Sequence, residues 1–192
     1  MNIYEPFFNY NGHEYHADDG TELLSVTGIC KSGLGIYQYK RISAKAEFGT
    51  NVHKACQYFD EKDLDESTLD PAVGLRLEQY KLACKEKGII RLQNEVRRYH
   101  PVYLFAGTID LICKINGVMS ILDFKTGKQE NWHKWQTAGY AELLKSELGE
   151  LDRYCLYISD SGYDLVKHDE PNNFREFLAL KVVAEIKKNN NY

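Results

Sequence analysis

The chain has 192 residues, a length that suits one domain with a sizeable hydrophobic core. Hydrophobic residues make up 43% of the sequence, and no apolar run approaches the roughly 20 residues that cross a bilayer. The net charge of −4 argues against a protein that holds nucleic acid by bulk positive charge alone. The acidic, aromatic opening is not typical of a secretory signal, so we expect a cytoplasmic protein that does not enter membranes.

Cysteine is scattered along the chain, and no two cysteines form a C-x-x-C pair. The odd number and the spacing argue against disulfide bonds and zinc, and free cysteines are commonly buried. We therefore expect reduced thiols, mostly in the core, at Cys30, Cys56, Cys84, Cys113 and Cys155.

The first 42 residues combine strand and helix signals. Aromatic residues surround Asn11-Gly12, which predicts a short hairpin over residues 7–16. A helix is predicted from Ser25 to Lys31. Residues 43–168 are expected to form the core of a single domain that spans residues 1–192.

Two longer helices are predicted next. An apolar stripe with helical period predicts a helix from Ser43 to Phe59, and an acidic connection follows from Asp60 to Asp70. Pro71 suits the first turn of another helix, which runs to about Lys87 and which Gly88 ends.

After Gly88 the hydrophobic period becomes strand-like, and three consecutive strands are predicted at 89–99, 102–115 and 118–125. The remaining predicted elements are a helix at 131–148, strands at 154–158 and 164–167, and a closing helix within 171–188. This order predicts an α/β fold with a central mixed β-sheet flanked by helices.

The turn between the second and third of these strands sets a register. Asn116-Gly117 between two apolar strands is a strong hairpin signal. If these two residues form the turn, equal steps outward along both strands place Asp110 directly opposite Asp123. Lys125 then lies on the same face as the two aspartates. The other face is apolar and holds Ile109, Leu111, Cys113, Ile115, Val118, Ser120, Leu122 and Phe124.

Such a carboxylate pair has a chemical implication. Side chains directly opposite each other start about 5 Å apart, and two carboxylates at that distance repel unless a cation lies between them. Mg²⁺ or Mn²⁺ suits such oxygen ligands, and a nearby lysine can orient the attacking water or stabilise charge on a phosphate. The set therefore predicts metal-assisted phosphodiester hydrolysis. From spacing alone, an exposed strand face with incidental charges explains the residues equally well; the apolar partner face and the turn favour the site.

Five short motifs occur in a fixed order between about residues 21 and 160. They are Leu24-Ser25-Val26-Thr27, Gly49-Thr50-Asn51-Val52-His53, Gly107-Thr108-Ile109-Asp110, Ile121-Leu122-Asp123-Phe124-Lys125-Thr126-Gly127 and Gln136-Thr137-Ala138-Gly139-Tyr140. In this order they resemble the PD-(D/E)XK nuclease superfamily, and within it the RecB-like exonucleases, which include phage and mitochondrial genome-maintenance members. The resemblance implies a restriction-endonuclease-like core.

The resemblance also implies roles for individual residues. Asp110 and Asp123 would be metal ligands, Lys125 the catalytic lysine and His53 a further metal ligand. The backbone carbonyl of Phe124 would be another ligand.

Further residues are implied around this centre. Glu95 matches the family's acidic residue on the preceding strand and would bind metal directly or through water, as part of the catalytic set. Gln136 and Tyr140 would contact substrate or support the lysine. Arg97 and Thr126 are expected to bind substrate. The two tryptophans near the start of the predicted helix at 131–148 are left outside the site.

The sequence departs from the family pattern in two ways. Ile109 stands where the superfamily name has proline, as is usual for RecB-like members. Some relatives hold an iron–sulfur cluster on four cysteines, three of them near the C-terminus, whereas only Cys155 lies late in this chain. We therefore expect no iron–sulfur cluster.

The expected function is a Mg²⁺- or Mn²⁺-dependent DNA exonuclease with single-stranded DNA in its channel. The alternatives are a structure-specific or restriction-type endonuclease, a non-catalytic nucleic-acid-binding module, and a hydrolase of nucleotides or other phosphoesters. A recombination or replication protein is a conceivable partner, and a phage-encoded chain would act in the host cytoplasm. The oligomeric state is left open.

Overall fold

The computed structural model describes residues 7–9, 14–36 and 44–190. Its strands are β1 (Phe7–Asn9), β2 (Glu14–His16), β3 (Glu22–Ser25), β4 (Ile89–His100), β5 (Phe105–Ile115), β6 (Val118–Lys125), β7 (Asp152–Ile158) and β8 (Tyr163–Lys167). Its helices are α1 (Val26–Gly33), α2 (Ala44–Glu61), α3 (Pro71–Glu86), α4 (His133–Leu148) and α5 (Asn173–Asn189), with a short 3₁₀ turn at Glu66–Thr68.

The strands form one mixed sheet in the order β1-β2-β3-β5-β6-β7-β8, and β4 pairs with the other edge of β5. β3 runs parallel to the start of β5, where Ser25 pairs with Ala106. β6 runs antiparallel to the end of β5, from Leu111 to Ile115. Residues 107–110 of β5 therefore lie between its two partners on that edge, and we call this gap the fork.

Helices cover both faces of the sheet. On one face α2 and α3 pack through Val52, Leu77 and Tyr80 against the sheet residues Leu122 and Phe124. A second cluster joins α1, α4 and α5 to the opposite face, through Val26, Ile29, Leu144, Phe177, Ile112 and Ile121. Within the described residues, no helix is long and apolar enough to cross a bilayer. The predicted α/β architecture with a flanked mixed sheet is confirmed.

Residues that mark helix ends in the sequence lie at helix ends in the structure. Pro71 opens α3, and the side chain of Asp70 accepts a hydrogen bond from the N–H of Ala72. Gly149, with φ of 76°, follows the last residue of α4. The strand predicted from residue 102 begins instead at Phe105, because residues 101–104 form a turn.

The N-terminal part is predicted less completely. β1 and β2 pair antiparallel, as the hairpin prediction requires, but its turn residues Asn11 and Gly12 lie outside the described residues. The predicted helix start at Ser43 also lies outside them. The strand β3 was not predicted, since it has only four residues and its partner β5 lies beyond three helices and a strand.

The predicted register of the β5–β6 hairpin is confirmed over five pairs, from Ile115 with Val118 to Leu111 with Leu122. The face prediction is wrong at Ile109, which packs in the α1, α4 and α5 cluster instead of beside Leu111. Strict alternation along β5 is therefore lost at the fork, where the strand changes partners.

Candidate active site

Asp110 lies at the fork, one position beyond the last recorded pair of the β5–β6 ladder. Its Oδ2 accepts a hydrogen bond of 2.7 Å from the backbone N–H of Phe124. Its Oδ1 lies 3.5 Å from Nδ1 of His53, which projects from α2. The carboxylate thus takes the place of a backbone acceptor where the ladder ends. Since the N–H and C=O of one strand residue point to the same edge, the Phe124 carbonyl also faces the fork.

Asp123 follows on β6 and is 3% exposed. Its Oδ2 forms an ion pair with Nζ of Lys125 and lies 3.6 Å from Sγ of Cys155 on β7. Its Oδ1 accepts no hydrogen bond from the described part of the chain. The two aspartates are therefore neighbours at the fork, and each has its own basic partner.

The pKa values reflect this pairing. Burial alone would raise the pKa of Asp110, but the charges of His53 and Lys125 outweigh it, so this pKa is lowered. Burial raises the pKa of Asp123, and Asp110 adds to the effect against the pull of Lys125. Burial would lower the pKa of Lys125, but Asp123 outweighs it and the pKa is raised. The pKa of His53 is raised as well, because Asp110 outweighs burial.

Lys125 is held from α4 by a chain of polar side chains. Its Nζ donates to Oε1 of Gln136 at 2.9 Å. Nε2 of Gln136 donates to Oγ1 of Thr27 at 2.9 Å and to the hydroxyl of Tyr140 at 3.1 Å. Thr27 and Tyr140 are themselves 3.3 Å apart. Because Gln136 and Tyr140 are four positions apart on one helix, both can join this chain, which we call the glutamine clamp.

Two glycines allow close approach around the site. A Cβ on Gly107 would lie 2.7 Å from Cε1 of Tyr140, so only glycine lets α4 come this near β5. A Cβ on Gly49 would lie 3.1 Å from Oγ1 of Thr126, which places α2 against the end of β6. These contacts give a physical reason for both motif glycines.

Glu95 lies on β4 between residues that pair with Leu111 and Ile109, hence opposite Asp110. Its φ of 50° is in the left-handed region, which is unusual for glutamate within a strand. Burial, reinforced by Asp110, raises its pKa to about 7. Arg97 is exposed nearby on β4, opposite Thr108.

The donor set at the fork has the chemistry of a divalent-cation site. Two carboxylates and an imidazole converge there, with Glu95 and the Phe124 carbonyl beside them. Among the described residues, no three such side chains form a ready-made metal cage, and Lys125 rests on Asp123 instead. The donor atoms are of the types that a hard cation prefers, and such a cation would compete with Lys125 for Asp123.

Several residues at the site were not predicted. Thr27 completes the glutamine clamp, although its segment was recognised as a motif. Trp132, left outside the predicted site, lies with its ring centroid 5.8 Å from Nζ of Lys125 and 5.7 Å from Nζ of Lys31. Cys155 contacts Asp123. The sequence signal of the β5–β6 hairpin gives no information about site residues that α1 or β7 contributes.

Solved structures of two exonucleases are similar to this chain. A putative exonuclease from Eubacterium rectale matches with a TM-score of 0.55 and 14% identity, covering 87% of this chain and 82% of that one. An alkaline exonuclease (LHK-Exo) from Laribacter hongkongensis covers 88% of this chain and 93% of its own, at 14% identity, with a TM-score of only 0.44. No protein-family model and no curated protein matches the sequence. The first match shows that the chain has the fold of this exonuclease, as the sequence predicts.

Proposed function

We propose that this chain is a divalent-metal-dependent deoxyribonuclease that removes nucleotides from DNA ends. The observation that supports this most is the convergence of Asp110, Asp123 and Lys125 at the fork, with His53 beside them. Two adjacent buried carboxylates destabilise a fold unless they serve a cation, so their pairing favours a catalytic role over a purely structural one. The name of the Eubacterium rectale protein agrees with this activity.

Asp110, Asp123 and His53 would hold the ion, together with the Phe124 carbonyl and with Glu95 directly or through water. When bound, Mg²⁺ or Mn²⁺ activates the attacking water and neutralises charge on the phosphate. Oxygen donors suit Mg²⁺, and the imidazole makes Mn²⁺ equally acceptable.

Lys125 would orient the attacking water or stabilise the negative charge that develops on the phosphate. Its position depends on two contacts of Nζ. Gln136 of the glutamine clamp accepts a hydrogen bond from it on the α4 side, and Asp123 forms an ion pair with it on β6. Gln136 and Tyr140 therefore support the lysine, in addition to any contact with substrate. Arg97 and Thr126 would contact the DNA backbone.

A cavity of about 380 Å³ beside the fork supports the assignment to strand ends. Tyr15, Thr27, Lys31, Gly107 and Tyr140 line it. Its volume lies in the range of small-ligand pockets, and Lys31 provides a positive charge for a phosphate. A pocket of this size suits the terminal nucleotide of a single strand better than the interior of a duplex, which favours an exonuclease over an endonuclease.

The test is a time course on linear DNA labelled at the 5′ or the 3′ end, beside a covalently closed circle. We expect degradation of the linear DNA with Mg²⁺ or Mn²⁺, none with a chelator, and an intact circle. Asp123→Asn and Lys125→Met should each reduce the rate at least about a hundredfold. The matched controls Asp63→Asn and Lys114→Met change exposed residues and should leave the rate unchanged.

Other outcomes separate the alternatives. A nicked circle would indicate an endonuclease, and DNA binding without degradation would indicate a non-catalytic module. Strong competition by mononucleotides would indicate a phosphoesterase of small substrates. If DNA ends are degraded, a recombination or replication protein is the class of partner that we propose for this activity.

A further inference from the structure

β7 lies parallel to β6, and its register pairs Cys155 with Asp123. Side chains of paired residues on neighbouring strands lie on the same face of a sheet. The thiol consequently meets the carboxylate, with Sγ 3.6 Å from Oδ2. Cys155 is fully buried and Asp123 nearly so, which removes water as a competing partner.

The thiol is a donor in this contact. A cysteine thiol ordinarily carries its proton at neutral pH, and a buried site beside a carboxylate disfavours the thiolate. The side chain therefore offers S–H to Oδ2, which lies 3.6 Å from Sγ. A thiolate in its place would add a third negative charge beside Asp110 and Asp123.

The contact divides the two oxygens of Asp123 into different roles. Oδ2 receives both Lys125 and Cys155, from two strands. Oδ1 has no hydrogen-bond partner in the described part of the chain. Of the two partners of Oδ2, Lys125 is the one with which an arriving cation must compete for Asp123, whereas Cys155 is short and fixed in the core. The thiol is thus the partner that can keep the carboxylate oriented when a cation binds.

We propose that Cys155 is a positioning residue for Asp123: its thiol holds Oδ2 and leaves Oδ1 as the oxygen offered to a divalent cation. This inference rests on the proposed function, in that Asp123 is taken to be a ligand. Partners that hold a metal ligand in place commonly change metal affinity by about 10- to 100-fold when they are removed.

The competing explanation is that Cys155 only fills space in the core. Cys113 provides a matched control, because it is equally buried on β5 but packs in the apolar cluster under α2 and α3. Cys155→Val keeps an apolar side chain and removes the donor, whereas Cys155→Ser keeps a donor. A residue that only fills space would make the serine variant the worse of the two, since it places a hydroxyl in the core.

The experiment is calorimetric titration of the full chain with Mn²⁺ in the absence of DNA. We expect Cys155→Val to weaken Mn²⁺ binding roughly tenfold, the lower end of the range for such partners. Cys155→Ser should stay within about twofold of the parent chain because a hydroxyl also donates. Cys113→Val should bind Mn²⁺ as the parent does.

Two results would overturn the proposal. One is equal Mn²⁺ affinity in the parent, Cys155→Val and Cys155→Ser, which leaves the proposed nuclease function intact. The other is no Mn²⁺ binding by the parent chain, which removes the metal-dependent function as well. If Cys155→Val does not fold, Cys155→Ala takes its place. The deciding quantity is then the Mn²⁺ affinity of Cys155→Ala relative to that of Cys155→Ser.

Discussion

Asp123 and Lys125, two positions apart on β6, form an ion pair with each other while both are largely withdrawn from solvent. His53 is related to Asp110 in the same way, at 3.5 Å. Each carboxylate at the fork is therefore paired with a basic side chain of the protein itself. A divalent ion that arrives there must share Asp123 with Lys125 or displace it, which couples the position of the lysine to metal binding.

The first prediction concerns the stability of Lys125→Met. Removing the lysine leaves Asp123 buried beside Asp110 without its cation, so we expect a loss of about 3 kcal/mol in the free energy of unfolding in a chelator. Mn²⁺ should restore a large part of this loss, since the ion takes over the neutralising role. Urea unfolding with and without Mn²⁺ measures both effects. Lys114→Met, an exposed change on β5, should stay within about 0.5 kcal/mol of the parent; equal stability of both variants in chelator would contradict the prediction.

The second prediction concerns Gly107→Ala. The added Cβ meets Cε1 of Tyr140 at 2.7 Å and Cγ2 of Val26 at 3.2 Å, so the Tyr140 ring, or α4 with it, must shift away from β5. We expect a destabilisation of about 1–3 kcal/mol and a clear loss of nuclease activity, because the glutamine clamp moves with Tyr140. Gly74→Ala in α3 is the control, since a Cβ there meets nothing within 4 Å and should stabilise by about 0.5–1 kcal/mol. Thermal unfolding measures both changes: we expect a lower midpoint for Gly107→Ala and a higher one for Gly74→Ala.

The third prediction concerns Tyr140→Phe. The change removes the hydroxyl that accepts from Gln136 and contacts Thr27, and leaves the ring in place. We expect the maximal rate to fall about tenfold with little change in the apparent affinity for DNA, because Lys125 loses part of its support. Steady-state kinetics on end-labelled DNA provide the measurement. Tyr163→Phe, which removes a hydroxyl that donates to Glu86 on the edge strand β8 and takes no part in the glutamine clamp, should behave as the parent; a change only in DNA affinity would instead assign Tyr140 to substrate binding.

The fourth prediction concerns Glu95 and pH in the absence of metal. Its folded-state pKa of about 7 lies above the ordinary value of 4.5, so the folded protein binds this proton more tightly than the unfolded chain. The resulting stabilisation is fully present below pH 4.5 and is lost as pH rises through 7. Glu95→Gln should therefore gain stability relative to the parent between pH 5 and pH 8, by roughly 1–2 kcal/mol after solvent screening. Chemical unfolding at the two pH values measures the gain.

Glu47→Gln is the control for that measurement, since Glu47 is exposed on α2. Its stability relative to the parent should be independent of pH. A Glu95→Gln variant whose stability relative to the parent is equally independent of pH would contradict the prediction, because it would show that the pKa of Glu95 is not raised in the fold.

The predictable part of the fold follows from local signals. The Asn116-Gly117 turn fixes the β5–β6 register over its five recorded pairs because a two-residue loop leaves one pairing. The same register predicts the two aspartates as the next pair, one position beyond the end of the recorded ladder. Pro71 and Gly149 mark helix ends through their backbone restrictions. The resemblance added His53 and the pair on α4, which no local pattern connects to the hairpin.

The remainder depends on contacts between distant segments. The parallel pairing of β3 with β5 and of β6 with β7 has no turn to set its register, so neither Thr27 nor Cys155 could be assigned to the site. Ile109 changed faces because β5 exchanges partners at the fork, and the alternation rule assumes a strand with constant neighbours.

The fork also imposes an order on assembly. The two aspartates belong to a tight hairpin. Such a hairpin involves only a short stretch of chain and forms within roughly microseconds. The bond from Gln136 to Thr27 joins residues 109 positions apart, and the pairing of β3 with β5 encloses three helices. Long loops close late, since their entropy must be lost before the contacts form. We therefore expect a newly made chain to acquire its carboxylate pair early and its glutamine clamp last, so that cleavage of DNA begins only when folding is complete.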